Sequence, residues 1–155
     1  MTSVRTSLVD VYVLRGEAAS LECLVLRRGR SGRCPGSWET VHGHIEPAER
    51  PVAAATRELT EETGLSPLRL YNLSRVELFY QHRSDEVALV PVFAAFVTPD
   101  APVRLGPEHD AFEWLSLPDA AARFAWPRER RALEDITRLL GTGSAGAVDD
   151  VLRVC

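Results

Sequence analysis

Apolar residues are spaced along the chain in two different rhythms. Ser7–Leu14 and Leu21–Arg27 are runs of apolar, largely branched residues joined by the turn-like Arg15-Gly16-Glu17-Ala18-Ala19-Ser20, and they read as two adjacent strands. Gly29–Gly36, rich in Gly, Arg and Ser, reads as a loop, and Trp38–Val41 as a short strand leading into His42-Gly43-His44. From Arg50 to Thr63 the period becomes helical. Pro51 suits a first helical turn, Gly64 a left-handed cap, and Pro67 bars continuation. Leu68–His82 and Glu86–Thr98 then alternate as strands around the turn Arg83-Ser84-Asp85, with Pro91 marking a bulge or an edge. Ala111–Leu115 reads as a further strand, followed by a helical turn led by Pro118. A last amphipathic helix over Pro127–Leu140 carries Ala132, Leu133, Ile136, Leu139 and Leu140 on one side. Strands flanked by a central and a terminal helix predict an α/β fold in one domain over residues 1–141. Residues 142–155 read as a flexible tail.

Composition narrows the function without naming it. A net charge of −4, from 22 acidic and 18 basic residues, argues against broad adhesion to nucleic acid or to anionic membrane. A small anionic substrate needs only a local cationic pocket, and stays open. No run of residues is apolar for long enough to span a bilayer, and Met1–Leu14 lacks a signal-peptide layout and reads as a first strand. Cys23, Cys34 and Cys155 form no C-x-x-C pair. Free thiols in a reducing cytoplasm are the expectation.

The chemistry concentrates between Gly43 and Leu65. Glu58, Glu61 and Glu62 stand at i, i+3 and i+4, so they share a helical arc of about 100°. Like charges at that spacing repel, and they lie near the helix C-terminus, where the macrodipole is already negative. Val52, Ala55 and Leu59 form a separate stripe that can dock on a sheet. A cation compensating the acidic face is the inference, and hard oxygen ligands suit Mg²⁺ or Mn²⁺. The carboxylates alone are equally compatible with a solvated charged face paired by Arg57 and other basic residues.

The full spacing goes further. Gly43-x5-Glu49-x7-Arg57-Glu58-Leu59-x-Glu61-Glu62-x-Gly64-Leu65 resembles the Nudix box at every fixed position. The resemblance implies a Nudix fold, an α/β/α sandwich with a mixed central sheet. It also implies a Mg²⁺-dependent pyrophosphohydrolase (Mn²⁺ possible) acting on a small nucleoside-diphosphate-type substrate. By that resemblance Glu58 and Glu62 are the principal metal ligands, Glu61 is a further ligand or a base, and the Gly43 carbonyl faces the metal. Arg57 and Glu49 brace the loop against the helix. Glu108 before the segment ending in Trp114-Leu115, with Trp38-x-x-Val41-x-Gly43 and Trp126-x-Arg128-x-Arg130, looks most like the dihydroneopterin triphosphate pyrophosphatase branch. There Glu108 would be a fourth metal carboxylate, with Glu113 as its competitor.

Arg5, Arg27 and Arg28 are candidates for gripping phosphate. Trp38 and Trp126 could stack on a base, and His44, which stands where many members carry a second glycine, could line the pocket. His42, His82 and His109 show no metal-ligand spacing. The resemblance leaves open ADP-ribose-like compounds, dinucleoside polyphosphates, and a sensor that binds nucleotide without cleaving it. It does not choose between monomer and homodimer.

Overall fold

A computed structural model describes residues 1–155. Its frame is one eight-stranded mixed sheet: β1 (Ser3–Thr6), β2 (Leu8–Arg15), β3 (Glu22–Arg28), β4 (Trp38–Glu39), β5 (Val41–His44), β6 (Arg69–Gln81), β7 (Glu86–Phe96) and β8 (His109–Ser116). The path runs β1-β7-β2-β3-β4, with β5 on β2, β6 on β7 and β8 on β3. β7 pairs in parallel with β1 and β2, and the remaining neighbours are antiparallel.

Alternation along β2 shows how the sheet divides the interior. Val9, Val11 and Val13 point to one face, where they pack with Leu24, Leu26 and the buried Ala54, Ala55 and Leu59 of α1 (Pro51–Thr63). Tyr12 and Leu14 point to the other face. There they meet Ala132, Leu133, Ile136 and Leu140 of α3 (Pro127–Leu140), together with Leu117 and Ala120 of α2 (Leu117–Arg123). Two cores thus lie on opposite sides of the sheet. The α/β/α sandwich expected from the sequence is the architecture observed.

The expected first strand divides at Ser7. β1 pairs with β7 at residues 86–89, whereas β2 pairs with the same strand at residues 92–96. Pro91 sits at this changeover, where neither neighbour requires its missing N–H. The register shift opposite it lies in β6, between Asn72 and Val76, where Ser74 takes φ 52°. The sequence signal for irregularity was sound, and the extra residues are on the partner strand.

Residues 142–155, expected to hang free, are docked. A short helix α4 (Asp149–Leu152) buries Leu152, and Tyr71 Oη donates to Asp149 Oδ1 at 2.7 Å. Val154 N–H donates to Leu70 O at 2.7 Å, and Leu70 N–H donates to Cys155 O at 3.1 Å. The Gly and Ser cluster that suggested flexibility is the turn that folds this segment back onto β6. No helix is long and apolar enough to cross a membrane.

Candidate active site

The site forms where β5 runs into α1. β5 is held antiparallel on β2, with Val9 opposite Gly43 and Asp10 opposite His42. Pro51 opens α1 and Gly64 closes it at φ 70°, its N–H donating to Thr60 O, as the sequence predicted. Docking the alanine-rich face of α1 on the sheet brings Glu58 directly over Gly43. A Cβ built on Gly43 would lie 1.9 Å from Glu58 Cδ and 2.3 Å from both carboxylate oxygens. Only glycine leaves room for the carboxylate there.

Arg57 ties the loop between β5 and α1 to the helix. Its Nε and Nη2 donate to the two oxygens of Glu49, each at 2.9 Å, and Nη2 also donates to His44 O at 2.8 Å. Nη1 donates to Glu58 Oε1 at 2.8 Å and to Glu61 Oε2 at 3.1 Å. Hydrogen bonds from Arg57 and from the Glu46 N–H hold the Glu49 carboxyl down to about 2. The guanidinium of Arg57 is correspondingly raised, first by Glu49 and then by Glu58. This planar, multi-acceptor geometry is one that lysine cannot reproduce.

Glu62 lies deeper, at 5% exposure, and its Oε2 has no hydrogen-bond partner. Burial pushes its carboxyl well above the usual range, and the charges of Glu58, Glu108 and Glu39 push it further. The segment before β8 is pinned to the end of α1 by Arg104 N–H to Thr63 O at 2.8 Å and Gly106 N–H to Glu62 O at 3.0 Å. Long-range packing therefore places Glu108 and His109 beside Glu62. His109 Nε2 is 3.0 Å from Glu39 Oε1, and its Nδ1 is 4.0 Å from Glu62 Oε2. Arg28 Nη1 donates to Glu39 at 3.0 Å and stands 3.9 Å from Glu108. Burial opposes ionisation of Glu39, but hydrogen bonds from His109 and Arg28 hold its carboxyl below the usual range.

The structure sorts the sequence candidates. Gly43, Glu58, Glu62, Arg28 and Arg57 come together, with Glu108 at the mouth of the cluster and Glu61 on its exposed rim. Glu113 is elsewhere, paired with Arg123 at 3.1 Å. Arg5 is not brought in: it is exposed and faces Glu86 at 3.7 Å. Arg27 is spent on Asp110 at 2.7 Å. Trp38 packs against the α2–α3 core between the guanidiniums of Arg27 and Arg123, while its neighbour Glu39 points to the cluster. His44 is exposed beside the site and contributes its carbonyl to Arg57. Glu39 was not singled out from the sequence, and His109 was named there only as lacking metal-ligand spacing. The usable signal for Glu39 was a charged residue set between Trp38 and Val41 in a short strand. None existed for His109, whose partners lie far away along the chain.

Several features fit a divalent cation: an excess of carboxylate over cationic groups, an unpartnered buried oxygen on Glu62, and a cradle at Gly43 that a side chain would fill. No three His, Cys, Asp or Glu side chains converge closely enough to hold a metal as they stand. Arg57 draws Glu58 and Glu61 to itself instead.

The NUDIX domain model matches residues 4–136. The chain belongs to the Nudix family. It is 38% identical over 136 residues to an octanoyltransferase of Myxococcus xanthus, a match covering 83% of this chain and 36% of that protein. It is 35% identical over 97 residues to the asymmetrical bis(5'-nucleosyl)-tetraphosphatase of Rattus norvegicus, covering 61% of this chain and 65% of that enzyme. This Nudix chain thus spans about a third of the first relative and under two thirds of the second. Its fold also matches the dihydroneopterin triphosphate pyrophosphohydrolase of E. coli, with TM-score 0.64 and 26% identity over 81% of this chain and 92% of that one.

Proposed function

We propose that this Nudix chain is a Mg²⁺-dependent pyrophosphohydrolase that cleaves a phosphoanhydride bond of a nucleoside or pterin triphosphate, giving the monophosphate and diphosphate. The observation that carries the reading is the Glu58 carboxylate seated on Gly43 next to buried Glu62, with Arg57 locking the loop to the helix.

Glu58, Glu62, Glu108 and the Gly43 carbonyl are the groups that would hold the cation, Mg²⁺ or Mn²⁺. When bound, the cation supplies charge neutralisation to the phosphate oxygens and lowers the pKa of water. The protein's own residues supply the placement. Arg57 fixes the loop and orients Glu58, and Gly43 keeps the approach to that carboxylate free of side chain. Arg28 holds Glu39 in place and presents positive charge near Glu108. Glu61, exposed at the rim and paired with Arg57, serves as a further ligand or as the base that takes a proton from the attacking water. His44, exposed at the end of β5, is the side chain offered to the substrate beyond its phosphates. The unpaired thiols of Cys23, Cys34 and Cys155 suit a reducing cytoplasm.

A second substrate class is favoured by the likeness to the rat bis(5'-nucleosyl)-tetraphosphatase. A substrate panel assayed for monophosphate, diphosphate and phosphate separates the two. Diphosphate from nucleoside or pterin triphosphates, with little turnover of dinucleoside tetraphosphate, is the expected outcome. The reverse preference reassigns the substrate. No Mg²⁺-dependent turnover of any panel member would point to a non-hydrolytic sensor.

A further inference from the structure

β7 changes character at Pro91. From Val92 to Phe96 every residue is buried, whereas before that point burial alternates: Ala88 and Val90 are covered, and Val87, Leu89 and Pro91 are only half-buried. α1 packs against Phe93 and Ala95 on the face those three share, and leaves the rest of it open. β6 alternates likewise. Glu77 is buried, while Val76, Leu78 and Tyr80 are 55%, 65% and 56% exposed. The register sets Val76 across from Pro91, Leu78 from Leu89 and Tyr80 from Val87, and Val87 lies in turn beside Val4 of β1, which is 65% exposed. Paired residues share a face, so these side chains form one continuous surface across three strands.

A sheet with one open face ordinarily turns its apolar residues inward and its polar ones outward. Here the order is inverted. Arg5, Glu77 and Glu86 fall on the opposite face, where Glu77 pairs with Arg75 and Arg131, and Glu86 with Arg5. The open rows hold no charged side chain. Their hydroxyls are those of Thr6, beside Leu89, and Tyr80, which donates to Asp85 Oδ1 at 2.9 Å.

The four most exposed of these side chains leave on the order of 400 Å² of apolar surface open, a size at which such a patch is often an interaction site. A stable dimer buries about 800 Å² per partner, somewhat over half of it apolar. The open face supplies most of that apolar share. Its lack of charge also matters: a copy of the same surface brings no like charges together, although the chain carries −4 overall. A two-fold axis sets one patch against itself, and sheet faces stack at about 10 Å.

We propose that this face is covered by a second copy of the chain, in a two-fold dimer that stacks the β6–β7–β1 surfaces of two sheets. Glu58, Glu62 and Glu108 stand on α1 and before β8, outside these strands, so the dimer does not depend on the metal-dependent reading above.

Sedimentation equilibrium over a dilution series tests it. The chain is expected to have the mass of two chains, falling to one on dilution. Leu78→Lys, at the centre of the patch, should raise the dimer dissociation constant about 30-fold or more with an unchanged circular dichroism spectrum. Val4→Lys, on a different strand of the same face, should do the same, which covers the case in which Leu78→Lys does not fold. Val151→Lys, equally exposed but on α4, should leave the dimer intact. A single chain at every concentration up to about 100 μM overturns the proposal. A dimer that persists in both Leu78→Lys and Val4→Lys overturns it too, since the interface then lies elsewhere. A single chain that co-floats with phosphatidylcholine vesicles assigns the face to a lipid surface and overturns the second copy.

Discussion

At Gly43 a single hydrogen atom faces the Glu58 carboxylate, and the identity of that residue bears on chemistry more than on folding. The clash that Gly43→Ala introduces is with the far end of a flexible side chain, so Glu58 can swing aside and the fold is kept. Displacing a reacting constellation by an ångström costs about 100-fold in rate. The expected outcome is a kcat lowered about 100-fold with a melting temperature close to wild type, checked by steady-state kinetics and calorimetry. Of the carboxylates, Glu62→Gln is expected to lower turnover by orders of magnitude, and Glu108→Gln to lower it measurably. Glu113→Gln, which removes only the pair with Arg123, should leave the rate unchanged. A loss at Glu113 with none at Glu108 would show that the wrong acidic residue had been chosen. At this scale the sequence was informative wherever partners share one helix, as Glu58, Glu61 and Glu62 do. It was silent on Glu39 and saw in His109 only a histidine without metal-ligand spacing, since the two meet through the sheet; Arg5 and Trp38, whose residue types suit a ligand, stand at strand positions that face Glu86 and the α2–α3 core.

Between β5 and α1, one cation performs the work of a short structural element. Arg57 satisfies Glu49, the His44 carbonyl, Glu58 and Glu61, so a side chain ties the loop to the helix, beside the two backbone bonds Ile45 N–H to Ser7 O and Glu49 N–H to Glu46 O. Arg57→Lys keeps the charge but loses the fork. It is expected to lower kcat about 10–100-fold by letting loop and carboxylate drift, with a smaller change in KM; equal rates for Lys and Arg would contradict that role. α3 provides a second case. Glu129 is wholly buried at the start of this helix, accepting the Thr40 N–H at 2.6 Å and the Trp126 N–H at 3.2 Å. Burial pushes its carboxyl up to about 8 in the folded protein. The unfolded chain releases this proton near the ordinary glutamate range, at about 4.3. The folded state therefore holds the extra proton between those values, and stability falls as pH rises from about 5 to 8. Glu129→Gln, which cannot ionise, should be less stable than wild type at pH 5 because its amide opposes one of the two N–H donors. The gap in melting temperature between the two proteins should narrow toward pH 8. The helix boundaries were legible because Pro51, Gly64 and Pro127 are local punctuation. The split of the first strand at Ser7 was not, since it is set by where β7 changes neighbours.

Across the whole molecule, the order of layers followed from which residues alternate and which recur with a helical period. What escaped was the fate of the last fourteen residues. Their anchor is one buried leucine, Leu152, and a few hydrogen bonds to β6, too little apolar pattern to recognise in a sequence. Full burial of a leucine is worth about 1.5–3 kcal/mol. With about 2–4 °C per kcal/mol for a chain of this size, truncation after Gly141 is expected to lower the melting temperature by roughly 5–10 °C. Activity at low temperature should be kept, because the docked segment lies on β6 and not beside Glu62. An unchanged melting temperature would show that the segment is a passenger. The partition of the interior has a further consequence for anyone wishing to alter this protein. The nineteen buried residues on the α3 side share no side chain with the α1 core that carries Glu58. They can be rebuilt for hardiness, layer by layer, while the α1 half is left as evolution made it.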